Sequence, residues 1–134
     1  MKEGFEKLVA WRDAVRLAKD VYRQCREAPL CNDWSLRDQM QRAVISISSN
    51  IAEGHERDSI KDELRFLMIA KGSAAELRSQ LLVGVELGLV DSASGSRLVA
   101  DCRRVGSIIA NLMKFKKRAI AGGLTHRSDK HRLK

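Results

Sequence analysis

Apolar residues recur along this chain at spacings of three and four, which is the repeat of an α-helix that buries one face. The first run predicts a helix from Glu6 to Arg26, whose apolar arc covers roughly 160° around the helix axis. Pro29 disfavours helical geometry at the preceding residue and ends this helix. Trp34 follows in a short loop, and we expect it to anchor that loop on the helices. The apolar positions of the first helix are Leu8, Trp11, Ala14, Val15, Leu17, Ala18, Val21, Tyr22 and Cys25.

Two further helices are predicted on either side of a short polar turn. The second helix spans Leu36 to Glu53, and Gly54 follows it, where a glycine in the left-handed conformation commonly closes a helix. Ser59 lies three residues before an acidic side chain, which predicts the N-cap of a third helix that runs to Leu87. Because the connection between the two helices is short, they are expected to be antiparallel neighbours.

The third helix carries two apolar faces, although one face would be enough for packing within its own bundle. The second face therefore predicts contact with other copies of the chain. Gly72 and Ser73 interrupt the bulky residues at mid-helix, where we expect close packing because a glycine inside a helix costs about 1 kcal/mol relative to alanine. One face consists of Phe66, Ala70, Ala74, Leu77, Leu81 and Gly84, and the other of Ile60, Leu64, Met68, Ala75 and Leu82.

A fourth helix is predicted to begin at Asp91 or Ser92 and to bury Leu98, Cys102 and Ile109. The chain has 134 residues, one proline and only 4% aromatic residues, a composition that favours helix over sheet. The predicted fold class is all-α, an antiparallel up-down four-helix bundle formed by residues 1–121. Residues 122–134 are predicted to be a basic, disordered C-terminal tail.

The positive charge of the chain is concentrated at its C-terminal end. Residues 1–113 contain 17 Lys or Arg and 16 Asp or Glu, a net charge of +1, whereas residues 114–134 contain 8 and 1, a net charge of +7. Cations near phosphate groups release condensed counterions, so a neutral body with a basic end is typical of a polyanion-binding scaffold. A tail that only increases solubility is an equally open interpretation. The candidate contacts before the tail are Lys114, Lys116, Lys117 and Arg118.

A second set of cations follows one side of the first helix. These residues lie within about 80° of one another at 100° per residue, so they could follow a phosphate backbone. Asp13, Asp20 and Glu27 lie beside them, and a solvated face with local ion pairs is the alternative. The members of this stripe are Arg12, Arg16, Lys19, Arg23 and Arg26.

The sequence contains no pattern typical of an enzyme or of a metal or cofactor site. His55 stands between two glutamates, but the predicted turn does not give the spacing of three or four that helical metal ligands need. The odd number of cysteines and the absence of a CxxC pair fit a reducing compartment, and we expect Cys25 and Cys102 to be buried. Without an apolar run of about 20 residues, a cytoplasmic protein that does not cross a membrane is expected.

The central turn and the helices beside it carry a polar pattern, to which we give a structural role, at Asn50, Glu53, Gly54, Arg57, Arg65, Gly72, Ser73 and Glu76. This pattern resembles that of a bacterial family of four-helix-bundle proteins encoded in intervening sequences of large-subunit ribosomal RNA genes. The similarity extends over about residues 5–117, and a related branch of the family contains accessory proteins of diversity-generating retroelements. The resemblance implies a homo-oligomeric ring, usually a pentamer, and supplies no catalytic residue set.

The combined prediction is a non-enzymatic, oligomeric scaffold that binds RNA or DNA through its basic surfaces. Several copies in one ring would make weak individual contacts multivalent. The alternative is an adaptor whose main partner is a protein, such as a reverse transcriptase, with nucleic acid incidental.

Overall fold

The computed structural model describes residues 4–126, which form four α-helices and no strand. The helices are α1 (Val9–Cys25), α2 (Trp34–Glu56), α3 (Ile60–Glu86) and α4 (Ser92–Ala121), and short 3₁₀ turns precede α1 and α2 at Phe5–Lys7 and Leu30–Asn32. The predicted all-α class and four-helix bundle are confirmed. The predicted bounds of the first three helices lie within about three residues of those of α1, α2 and α3, and α4 begins at Ser92, one of its two predicted starts.

The helices pack as an antiparallel up-down bundle with α1 beside α2 and α4, and α3 beside α2 and α4. The start of α3 lies against the ends of both neighbours, because Glu63 contacts Lys116 of α4 and Phe66 lies beside Gly54 of α2. The α1–α2 pair and the α3–α4 pair therefore form opposite sides of the bundle.

The core face of α1 is turned slightly from the predicted one. Ala14, Leu17 and Val21 are fully buried, whereas Trp11 and Tyr22 are only partly covered at the edge of the core. The wide apolar arc had predicted all of them on one buried face. The structure therefore leaves part of the arc at the groove between α1 and α2.

Side-chain caps begin the three longest helices, as the sequence predicts for α3 and α4. The carboxylate of Asp33 accepts a hydrogen bond from the N–H of Leu36, Ser59 caps α3 through the N–H of Asp62, and Asp91 caps α4. These bonds satisfy backbone donors that a helix leaves open at its N-terminus. Trp34 is not the predicted loop anchor, because it begins α2 and is 69% exposed.

Gly54 is not the predicted left-handed end of α2. The helix continues through it to Glu56, and Gly54 is itself buried. A Cβ atom at this position would lie 3.0 Å from Cβ of Phe66 and 3.2 Å from the carbonyl oxygen of Glu63. Glycine is therefore required here for the close approach of α3 rather than for its backbone freedom.

Residues at the start of the predicted tail turn back onto the bundle. Gly123 has a φ of 94°, and the N–H of Ile60 donates to the carbonyl oxygen of Thr125 at 3.0 Å. The first part of the segment predicted to be disordered thus bonds to the beginning of α3, while residues 127–134 lie outside the described part of the chain. None of the helices described is both long and apolar enough to cross a membrane.

Candidate nucleic-acid interface

The basic stripe of α1 forms as one continuous exposed surface. Its members lie three or four residues apart on the helix, and all five side chains are exposed. Arg16 pairs with Asp13 at 2.8 Å and Arg23 with Asp20 at 3.0 Å, so the carboxylates on the flank compensate two of the five charges. Within residues 4–126 the other three make no ion pair, namely Arg12, Lys19 and Arg26.

A shallow groove of about 400 Å³ separates the C-terminal half of α1 from α2. Its cations are Lys19, Arg23 and Arg26, and no carboxylate belongs to its lining. Tyr22 contributes a partly exposed ring, and Ile45 of α2 closes the opposite side with 44% of its surface exposed. The apolar repeat had assigned Tyr22 to the core, so the sequence did not reveal this combination of cations and an aromatic ring.

The cations at the end of α4 do not form a single surface. Lys114, Lys117 and Arg118 are exposed, in the last turns of the helix. Lys116 is buried, and its Nζ lies 3.3 Å from Oε1 of Glu63. Its prediction as a nucleic-acid contact is therefore wrong, because the helix turns this one side chain inward to the start of α3.

The exposed cations at the end of α4 share one end of the bundle with the start of the α1 stripe. Because α1 and α4 are antiparallel, these cations lie at the same end of the bundle as Arg12. The groove lined by Arg23 and Arg26 lies towards the opposite end. Nucleic acid that met both this groove and the cations of α4 would have to extend along the bundle.

The central polar motif joins α2 to α3 through hydrogen bonds. The side-chain amide of Asn50 donates to the carbonyl oxygen of Ser46 at 2.8 Å and to its hydroxyl at 3.0 Å. The Ser46 hydroxyl in turn lies 2.8 Å from that of Ser73 on α3. The expected hydrogen-bonded, structural role of Asn50 fits this network, which fixes how the two helices lie beside each other.

The charged members of the motif form short-range pairs. Arg57 lies 3.1 Å from Glu53 one turn earlier, and its guanidinium lies 4.6 Å from the centre of the Phe66 ring. Arg65 lies 3.5 Å from Asp62 in the first turns of α3. Glu76 is exposed further along α3. Arg57 thus connects the end of α2 to Phe66 of α3 across the turn.

Gly72 differs from Gly54, although both belong to the motif. It is exposed, and a Cβ atom built on it would meet nothing within 4 Å. The expected close packing at Gly72 is therefore absent among residues 4–126, while its neighbour Ser73 does face α2.

An apolar surface covers the outward side of α3. Met68, Ile69, Leu82 and Val83 are each exposed by 46% or more. Ile60, which the sequence assigned to the outward face, is instead fully buried, and Leu64 is partly covered by the core. The outward apolar face is thus shifted around the helix from the predicted one, because it lacks Ile60 and Leu64 but includes Ile69 and Val83.

Two of the three cysteines, Cys25 and Cys102, are buried, as the sequence predicts. Burial raises the pKa of the Cys25 thiol to about 11 and that of Cys102 to about 12, so neither is a thiolate near neutral pH. His55 is buried near the end of α2. Among residues 4–126 no group of three or more His, Cys, Asp or Glu residues is placed to hold a metal ion.

Comparison with known proteins agrees with this architecture. A crystal structure of a protein with unknown function from the S23 ribosomal protein family of Bacteroides thetaiotaomicron superposes with a TM-score of 0.73, at 18% identity, over 79% of this chain and 99% of that one. At this identity the likeness concerns the fold alone. No curated protein matches the chain. The family described as 23S rRNA-intervening sequence protein matches residues 6–111, and the chain therefore belongs to that family.

Proposed function

We propose that this protein is a non-enzymatic, oligomeric scaffold that binds RNA or DNA through its basic surfaces. The observation that carries the proposal is the groove between α1 and α2, where three exposed cations stand beside Tyr22 and no carboxylate lines the groove. The family description, which concerns intervening sequences of 23S rRNA, adds support for a nucleic-acid partner. The free thiols of the chain suit the reducing cytoplasm as the place of action.

The chemistry of this groove suits a single strand. Lys19 and Arg26 would contact phosphate groups, and the partly exposed ring of Tyr22 would stack on a base, an interaction worth about 1–3 kcal/mol per base. Arg12 and Arg16 would extend the phosphate contacts towards the start of α1. At the other cluster, exposed Lys114, Lys117 and Arg118 would add contacts at the same end as Arg12.

The proposed oligomer is a ring, with five copies as the expected number. The outward face of α3 would form the contact between copies, because Met68, Ile69, Leu82 and Val83 together leave a large apolar area in water. A ring would present the same basic groove several times, so that binding to one long strand becomes multivalent.

The first test combines light scattering with a salt titration of labelled single-stranded RNA and DNA. We expect an oligomer whose affinity falls steeply between about 50 and 200 mM salt, since each phosphate contact releases counterions. The variant Lys19→Gln/Arg26→Gln should weaken binding and flatten the salt dependence. Lys61→Gln/Arg97→Gln removes the same charge from exposed positions outside this groove and is the matched control. A protein that binds neither strand at low salt would contradict the proposal.

The alternative function is an adaptor for a nucleic-acid enzyme such as a reverse transcriptase. Trp34 and Leu87 favour it, because they are 69% and 64% exposed and lie at the same end of the antiparallel bundle. Exposed tryptophan is common at the centres of protein interfaces. If this function holds, Trp34→Ala should abolish capture of the enzyme, whereas removal of residues 122–134 should leave capture intact.

A further inference from the structure

The groove between α3 and α4 forms a second electropositive surface, made of residues that the sequence patterns did not single out for binding. Its volume is about 470 Å³. Lys71 and Arg78 line it from α3, and Arg103 and the hydroxyl of Ser107 line it from α4. Small side chains make up its floor, namely Ala74, Ala75, Cys102, Gly106 and Ala110.

The cations of this groove, Lys71, Arg78 and Arg103, make no ion pair with a carboxylate within residues 4–126. Arg42, Arg65 and Arg104, by contrast, each pair with an aspartate on their own helix. The groove lining contains no acidic residue at all. Three cations at the rim of one groove repel one another, and an anionic ligand bound there would reduce this repulsion.

Arg78 is partly buried where it lines the groove beside Cys102. Burial and the nearby Asp101 carboxylate raise the pKa of the Cys102 thiol, and the charge of Arg78 acts in the opposite direction. Asp101 itself lies 3.4 Å from Arg104, outside the lining.

We propose that the groove between α3 and α4 binds the phosphate groups of a nucleic-acid strand. Lys71 and Arg78 are two helical turns apart, about 10.5 Å along α3, so they can contact successive parts of one backbone. Because the floor consists of small side chains, a strand can approach Arg103 and the Ser107 hydroxyl. This inference rests on the proposed function and extends it, because the groove lies on the opposite side of the bundle from the one between α1 and α2. Each copy would then hold nucleic acid on two sides.

Gly106 offers a test that does not disturb the core. A Cβ atom at this position would meet nothing within 4 Å, so a longer side chain can extend into the groove without a clash. Gly106→Glu places a carboxylate among the three cations, whereas Gly106→Gln fills the same space without charge. Binding of labelled single-stranded RNA to Gly106→Glu should be weaker than to Gly106→Gln by about tenfold at low salt. Equal affinities of the two variants, with RNA binding by the unmodified chain intact, would overturn this inference alone.

A triple variant, Lys71→Gln/Arg78→Gln/Arg103→Gln, measures the number of phosphates involved. The slope of log affinity against log salt should fall by about 2, since each contact with a single strand contributes about 0.7. The exposed cations Arg42, Lys61 and Arg97 provide a triple control with the same loss of charge. If the triple variant instead changes the mass of the oligomer in light scattering, the groove is a contact between copies and the inference is wrong. If the unmodified chain binds no RNA, the proposed function fails together with it.

Discussion

Lys116 and Glu63 form a buried ion pair that connects the last turns of α4 to the first turn of α3. The distance between Nζ and Oε1 is 3.3 Å, and the side chains are 9% and 2% exposed. The pair lies where the ends of α2 and α4 meet the beginning of α3, beside the close approach of Gly54. One of the cations predicted to bind nucleic acid is therefore part of the interior.

Replacing Lys116 by methionine should destabilise the protein strongly. The methionine has a similar length but leaves the buried carboxylate of Glu63 without the ammonium group that faces it. Breaking a buried pair in this way typically costs about 3–5 kcal/mol. Urea unfolding followed by circular dichroism measures the loss.

The control, Lys117→Met, removes the same charge from an exposed neighbour and should change stability by less than about 0.5 kcal/mol. The double variant Glu63→Leu/Lys116→Met should recover much of the loss, and a double variant as unstable as Lys116→Met would contradict the pairing.

Gly54→Ala should also destabilise the bundle, although alanine favours helix over glycine. The added methyl group would lie 3.0 Å from Cβ of Phe66 and 3.2 Å from the carbonyl oxygen of Glu63, so α3 would have to move outward. Overpacking of this kind costs about 1–3 kcal/mol. The expected result is a lower midpoint of thermal unfolding.

The same substitution at Gly106 provides the control for Gly54. A methyl group there meets nothing within 4 Å, so Gly106→Ala should stabilise the protein by up to about 1 kcal/mol through helix propensity. If both variants raised the unfolding midpoint, helix propensity would outweigh any close packing at Gly54, and the interpretation of Gly54 would be wrong.

The helices could be predicted from sequence because their signals are local. Ser59 and Asp91 cap the helices that they were expected to cap. The apolar repeat gives buried positions such as Leu77, Leu81 and Leu98, although it placed buried Ile60 on the outward face. Gly54 and Gly72 could not be told apart in the same way. Both are glycines within a polar motif, but only the packing of α3 against α2 decides that one is enclosed and the other open.

The candidate site was predictable only in part. The stripe on α1 follows from helical spacing alone and is exposed as expected. Lys116 lies among other cations in sequence, but it is buried because it contacts Glu63 of α3, which is distant in sequence. The two grooves combine residues from helices distant in sequence, such as Tyr22 with Ile45 and Arg78 with Arg103. Periodicity within one helix carries no information about such pairs.

Ser73→Ala should weaken the contact between α2 and α3. It removes the hydroxyl that lies 2.8 Å from the Ser46 hydroxyl, and the loss of one such hydrogen bond costs about 1 kcal/mol. Ser79→Ala makes the same change at an exposed position of the same helix and separates the effect of helix propensity. In a cycle with Ser46→Ala, the two substitutions should cost less together than the sum of their separate effects. Strict additivity of the unfolding free energies would show that the hydroxyls do not interact.

The buried thiols predict how stability depends on alkaline pH. Burial raises the pKa of Cys25 to about 11, with Arg37 acting in the opposite direction, and raises that of Cys102 to about 12 from an ordinary value of 9.0. Below pH 9.0 the thiols are neutral in both the folded and the unfolded chain. At higher pH the unfolded chain loses these protons first, so the free energy of unfolding should fall by up to about 1 kcal/mol per thiol for each pH unit. The variant Cys25→Ala/Cys102→Ala, compared by urea unfolding at about pH 8 and about pH 10.5, should lose less stability over this interval than the unmodified chain. Parallel losses in the two proteins would mean that the thiols ionise as readily in the folded bundle as in the unfolded chain.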